Sequence, residues 1–127
     1  MNTLTLGPVG NVFFFVPDLD AAVAWYEALL GLPAERAMPQ LAVWQLAATR
    51  LTLHAEDEYD ARGAPATGTV PYFDVADVDA ATALCVARGA VAHRGPKTVF
   101  SGERLVQILD PFGNLLGLRQ PGAGSGA

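Results

Sequence analysis

The chain has 127 residues, 51% of them hydrophobic and 17% charged, with a formal net charge of −5. That length suits one domain, or two small halves sharing a core, and needs neither disulfides nor a structural metal to fold. Eight Lys and Arg against thirteen Asp and Glu argue against a nucleic-acid binder and fit better with a neutral or cationic small molecule. The single cysteine, Cys85, excludes an intrachain disulfide, and with only His54 and His93 beside it no Cys-rich or His-rich metal site is expected. No basic region precedes the short apolar run Val12 to Val16, and no apolar stretch approaches the roughly 18 residues that span a bilayer. A cytoplasmic protein with a reduced thiol is therefore expected, with no membrane partner.

In chain order, an apolar strand around 11–16 ends at Pro17-Asp18. Asp18 or Asp20 is placed to cap a helix from about Ala21 to Leu30, whose Ala22, Trp25, Tyr26, Leu29 and Leu30 follow helical spacing before Gly31. Strand-like runs follow at about Ala34 to Met38, Leu41 to Ala47 and Arg50 to His54. The acidic stretch Glu56 to Asp60 and the residues up to Gly68 read as a solvated linker.

The same pattern then returns. Phe14 to Ala24 matches Phe73 to Ala83 at a constant offset of 59, with Asp77 or Asp79 as the cap. A second helix is expected from about Ala80 to Arg88, stopping at Gly89, with Cys85 as a small core residue. Strands follow at about Ala90 to His93, Arg104 to Leu109 and Leu115 to Arg119, the last two joined by the turn Asp110-Pro111-Phe112-Gly113-Asn114. The expected organisation is module one at about 9–56, a linker at about 57–68, module two at about 69–120, and a flexible tail at 121–127. Each module reads β-α-β-β-β. The fold class is α+β, with two tandem modules whose curved mixed sheets enclose a cavity.

The paired modules, the opening Asn11-Val-Phe-Phe-Phe-Val-Pro-Asp-Leu-Asp20 and the closing Leu109-Asp-Pro-Phe-Gly-Asn-Leu-Leu-Gly-Leu118 resemble the vicinal oxygen chelate superfamily. That superfamily includes glyoxalase I, extradiol dioxygenases, fosfomycin-resistance enzymes and bleomycin-resistance proteins. The resemblance covers about residues 9–120 and implies fold far more firmly than activity. It also implies where metalloenzyme ligands would stand: Asn11, Thr52, Val70 and Gly117. Val and Gly offer no side-chain donor and Thr is a poor ligand, so no metal and no cofactor are expected. Homodimerisation, with each cavity within one chain or across two, is implied by the resemblance alone.

Strand alternation places Asn11, Phe13, Phe15, Thr52 and His54 toward the cavity in module one, and Val70, Tyr72, Asp74, Gly117 and Arg119 in module two. Leu51, Leu53, Leu116 and Leu118 take the helix side. Phe13 and Phe15 read as an aromatic wall or as core, and Trp44 can join the wall if it takes that face. Gly117 is expected to leave room for a ligand. Asp74 has three readings: paired with Arg119, facing a cation on the ligand, or solvated at the strand end. His54 is a polar anchor or base, or else a locally hydrogen-bonded residue. Glu103 and Arg104 sit in a loop over the cavity mouth.

Two functions follow from this set. The favoured one is a metal-free protein, closest in character to bleomycin-resistance proteins, that sequesters a planar aromatic or cationic natural product. The alternative is an isomerase, lyase or dioxygenase of the same superfamily using His54, Tyr72 or Asp74 for proton transfer, with or without metal.

Overall fold

A computed structural model describes residues 3, 8–57 and 69–122. Most of the linker and the last five residues of the tail lie outside that set. The order is β1 (Asn11–Val16), α1 (Leu19–Leu30), β2 (Glu35–Met38), β3 (Leu41–Leu46), β4 (Thr49–Ala55), β5 (Tyr72–Asp74), α2 (Val78–Ala87), β6 (Val91–Thr98), β7 (Arg104–Leu109) and β8 (Leu115–Gln120).

The repeat is visible in the helix caps. Asp18 and Asp77 are the N-caps, accepting from Ala21 N at 3.1 Å and Ala80 N at 3.0 Å. Each helix therefore starts two residues before the expected point, at Leu19 and Val78. Asp20 and Asp79 lie in the first turns, where they suit the positive end of the helix dipole and pair with Arg36 and Arg104. Gly31 ends α1 in the left-handed conformation (φ 67°), and its N–H reaches Glu27 O at 2.9 Å.

Two four-stranded mixed sheets result, ordered β1-β4-β3-β2 and β5-β8-β7-β6. In each, the first strand lies parallel to the last, with Phe13 opposite Thr52 and Tyr72 opposite Gly117. Two of the strands differ from the sequence reading. β5 is short, so Val70 and Pro71 precede it instead of forming its start. β6 runs on to Thr98 through Gly95 and Pro96, which an edge strand tolerates because a proline there forfeits no ladder bond.

The core is shared between the modules. Phe14, Val16, Trp44, Leu51 and Leu53 pack under α1, and Val106, Ile108, Leu116 and Leu118 pack on the helix side of the second sheet with Val78 and Cys85, all in one cluster. Polar bonds cross between the halves at one end. Tyr26 Oη donates to Asp110 Oδ2 at 2.7 Å, Trp25 Nε1 to Arg88 O at 2.8 Å, and Asn114 Nδ2 to Phe15 O at 3.0 Å. The sheets stay separate and form no closed barrel among the described residues. Among those residues, no helix is long and apolar enough to cross a membrane.

Candidate ligand-binding site

The face of the first sheet opposite α1 carries Asn11, Phe13, Phe15, Thr52 and His54. Registration brings them together, since Phe13 pairs with Thr52 and Phe15 with His54 on the parallel β1–β4 ladder. The Phe13 and Phe15 rings are 6.1 Å apart and nearly parallel at 21°, and the His54 ring lies 5.2 Å from Phe15. Phe13 is 48% exposed, so the core reading fails for this ring. Beneath it Thr52 is buried and donates from Oγ1 to Asn11 Oδ1 at 2.9 Å. His54 Nδ1–H donates to the Ala55 carbonyl at 2.7 Å, which turns Nε2 into the free acceptor of the neutral ring.

The corresponding face of the second sheet is polar. Tyr72 lies over Gly117: a Cβ built there would stand 2.7 Å from Tyr72 Cδ1 and 2.5 Å from Pro71 O. The room expected at Gly117 is thus filled from within the chain. Gln107 Nε2 holds the tyrosine by donating to its hydroxyl at 3.0 Å. Arg119 Nη1 donates to both Asp74 oxygens, at 2.9 and 3.0 Å, and Arg119 Nε donates to Glu103. Glu103 also accepts from Ser101 Oγ at 2.6 Å, and these two donors hold its carboxyl below the usual range. Of the three readings of Asp74, pairing with Arg119 is therefore the one observed, on a side chain still 62% exposed.

Several placements depart from the sequence reading. Trp44 lies on the helix side, 3% exposed, with Nε1 donating to Leu32 O at 3.0 Å, and takes no part in the wall. Val70 stands outside β5. Arg104 opens β7, as the strand reading had it, and forks onto Asp79 at 2.9 Å instead of lying over a cavity mouth, leaving Glu103 alone of that pair beside the sheet face. Sequence reasoning missed Gln107 and Leu105, although alternation along β7 sets them opposite Val106 and Ile108. It also missed Asp110, read only as a turn residue. Asp110 Oδ1 accepts from Phe112 N and Asn114 N at 2.9 and 2.8 Å while burial pushes its carboxyl up.

Two concavities among the described residues bear on the site. One, of about 520 Å³, lies on the second sheet face among Tyr72, Arg94, Pro96, Lys97, Leu105 and Gln107. The other, of about 720 Å³, is a mostly apolar cleft between the modules, where Tyr26, Leu30, Leu51, Leu116 and Leu118 meet and which Tyr72 and Asp74 of β5 also line. Neither is walled by Phe13 and Phe15.

With the architecture in place, comparison with known proteins is decisive. The sequence model of the glyoxalase/bleomycin resistance protein/dioxygenase superfamily matches residues 8–118. The chain belongs to that superfamily. Among solved structures, a glyoxalase/bleomycin resistance protein from Catenulispora acidiphila is 28% identical with a TM-score of 0.66, covering 90% of this chain and 98% of its own. A superfamily enzyme from Burkholderia phytofirmans (18% identity, TM-score 0.73, 87% and 96% covered) and a lactoylglutathione lyase from Agrobacterium tumefaciens (23%, 0.69, 91% and 95%) share the fold. A search of the curated proteins found no match.

The positions at which the resemblance would place a metal are Asn11, Thr52, Val70 and Gly117. These residues do not fit a metal. The Asn11 oxygen accepts from Thr52, Val70 has no donor, and the space beside Gly117 is occupied by Tyr72. Among the described residues no three His, Cys, Asp or Glu side chains cluster to supply an alternative.

Proposed function

We propose that this superfamily member is a metal-independent small-molecule-binding protein whose ligand is planar and aromatic, held by sequestration as the likeness to bleomycin-resistance proteins implies. The observation that carries this is the Phe13–Phe15–His54 platform. Two near-parallel rings and an imidazole share one open sheet face, with Phe13 half exposed and no core role. Each stacked ring contributes roughly 0.5 to 1.5 kcal/mol beyond area burial, enough for selectivity toward flat ligands. A cationic ligand loses its argument, because the Asp74 carboxylate is engaged by Arg119.

The test is a titration with 2-naphthol, quinoline and indole, followed by amide chemical shifts. Saturable shifts are expected along β1 and β4, unchanged by chelator, and about tenfold weaker in Phe13→Ala. No saturable shift with any of the three, or shifts insensitive to Phe13, sinks the reading.

One observation favours the enzyme alternative. Donation from His54 Nδ1–H to Ala55 O leaves Nε2 as the acceptor of the neutral ring, in an imidazole beside the aromatic pair. Turnover of a bound compound that is lost in His54→Gln while binding persists selects that reading. The proposal includes a homodimer, as the resemblance implies; light scattering at the mass of one chain removes it.

A further inference from the structure

The open face of module two carries two cations that find no partner among the described residues. Arg36, Arg104 and Arg119 all have carboxylate partners. Arg94 and Lys97 make no side-chain hydrogen bond or ion pair among the described residues, in a chain whose net charge is −5. Both line the 520 Å³ concavity, together with the Tyr72 ring and the Gln107 amide. Two carboxylates of that face, Asp74 and Glu103, are both committed to Arg119.

The strand register shows that this placement is built. β6 starts in ordinary antiparallel pairing, Val91 with Leu109 and Ala92 with Ile108, where Ile108 faces the core. Continued without interruption, that register would set His93 opposite Gln107 and Arg94 opposite the buried Val106. Instead it slips by one residue before Arg94 and by one more before Lys97, so Arg94 pairs with Gln107 and Lys97 with Leu105. Gln107 in turn pairs with Gly117 and Leu105 with Arg119, both on the open face. A one-residue slip reverses which face a side chain takes, and two slips put both cations on the same one. Gly95 makes the second possible: its φ is 83°, and a Cβ there would stand 2.7 Å from Leu105 O.

We propose that this concavity is an anchor for an oxyanion, the carboxylate or phosphate of a small organic acid. Arg94 and Lys97 supply the charge. Gln107 and the Tyr72 hydroxyl supply neutral hydrogen bonds, and Pro96, Val99 and Leu105 receive the apolar body of the ligand. Charge-assisted bonds from guanidinium and ammonium are the stronger kind, and a volume of about 520 Å³ suits a ligand of that size. This rests on the reading that the open sheet faces bind small molecules, and it assigns that ligand an acidic group.

Benzoate, phenyl phosphate and neutral benzyl alcohol, titrated into the full chain at low salt, separate the possibilities. The two anions are expected to shift the amides of β6 and the Gln107 side chain, and to bind at least about tenfold more tightly than benzyl alcohol. A similar loss is expected in the Arg94→Gln/Lys97→Gln double variant and at high salt. Preference for phenyl phosphate over benzoate identifies a phosphate, and the reverse a carboxylate. Equal affinity for benzyl alcohol, or undiminished anion binding by the double variant, overturns the anchor. The readings fail separately. 2-Naphthol shifts on β1 and β4 without anion preference leave the aromatic platform standing, whereas anion shifts without them leave only the anchor.

Discussion

The Tyr72 ring lies across Gly117, its partner on the neighbouring strand, and occupies the space that a side chain there would need. Glycine in a strand is weakly packed unless an aromatic neighbour covers it, and here the cover is fixed by Gln107. The pair stabilises the second sheet and at the same time removes a family ligand position. Gly117→Ala should therefore lower stability by about 1–3 kcal/mol, read as a lower thermal midpoint. Tyr72→Ala should restore only part of this, because the Pro71 carbonyl would still stand 2.5 Å from the new methyl.

Adjacent residues on β1 should differ sharply in what they cost to remove. Phe14 is 5% exposed in the core, whereas Phe13 stands on the open face. Phe14→Ala should cost about 3–5 kcal/mol in denaturant unfolding. Phe13→Ala should cost less than about 1 kcal/mol. Similar losses for both would mean that Phe13 is packed after all.

The Tyr26–Asp110 bond gives stability an alkaline limit. Burial first, and then the Asp110 charge, push the Tyr26 hydroxyl well above its ordinary value of 10.0. The folded state thus holds this proton more tightly than the unfolded chain does. Stability is full below the unfolded value and declines as pH rises above 10.0 toward the folded one. Tyr26→Phe should lose about 1–3 kcal/mol at neutral pH, where Asp110 loses a donor, but should show a shallower alkaline decline. In wild type, one of the three tyrosines should ionise only on unfolding, as followed by tyrosinate absorbance.

Cys85 should be inert. It is buried on α2, and burial pushes its thiol up, so little thiolate forms at neutral pH. A thiol reagent such as DTNB should react with the native chain only at the rate of opening, and with unfolded chain at once. Rapid stoichiometric labelling of folded protein would contradict this placement.

Much of the fold was legible because it is local and repeated. The offset of 59 sets Asp18 against Asp77 and both helix starts with them, and period-two alternation separates Leu51 and Leu53 from Thr52 and His54. The site was harder to read because its decisive contacts are not local. Nothing near Gly117 announces that Tyr72 will fill its space. In β6, His93-Arg94-Gly95-Pro96-Lys97 has no alternation to follow, because the two slips break it. Trp44 was undecided until its pairing with Leu51 fixed its face. Asp110 looked like a turn former and is one, but its second oxygen reaches a tyrosine 84 positions earlier, and no periodicity encodes that.

The bonds that cross between modules bear on what a half-length version of this chain could do. Trp25 and Tyr26 on α1 find their polar partners at Arg88 and Asp110, and the free edge of β1 is met by Asn114. Expressed alone, the first module would present a buried phenol, an indole N–H and a strand edge to water, with half of its core uncovered. Two copies of one module would have to associate to cover these groups. A tandem arrangement makes that association permanent and lets the two open faces differ: one carries the Phe13–Phe15 pair, the other Arg94 and Lys97.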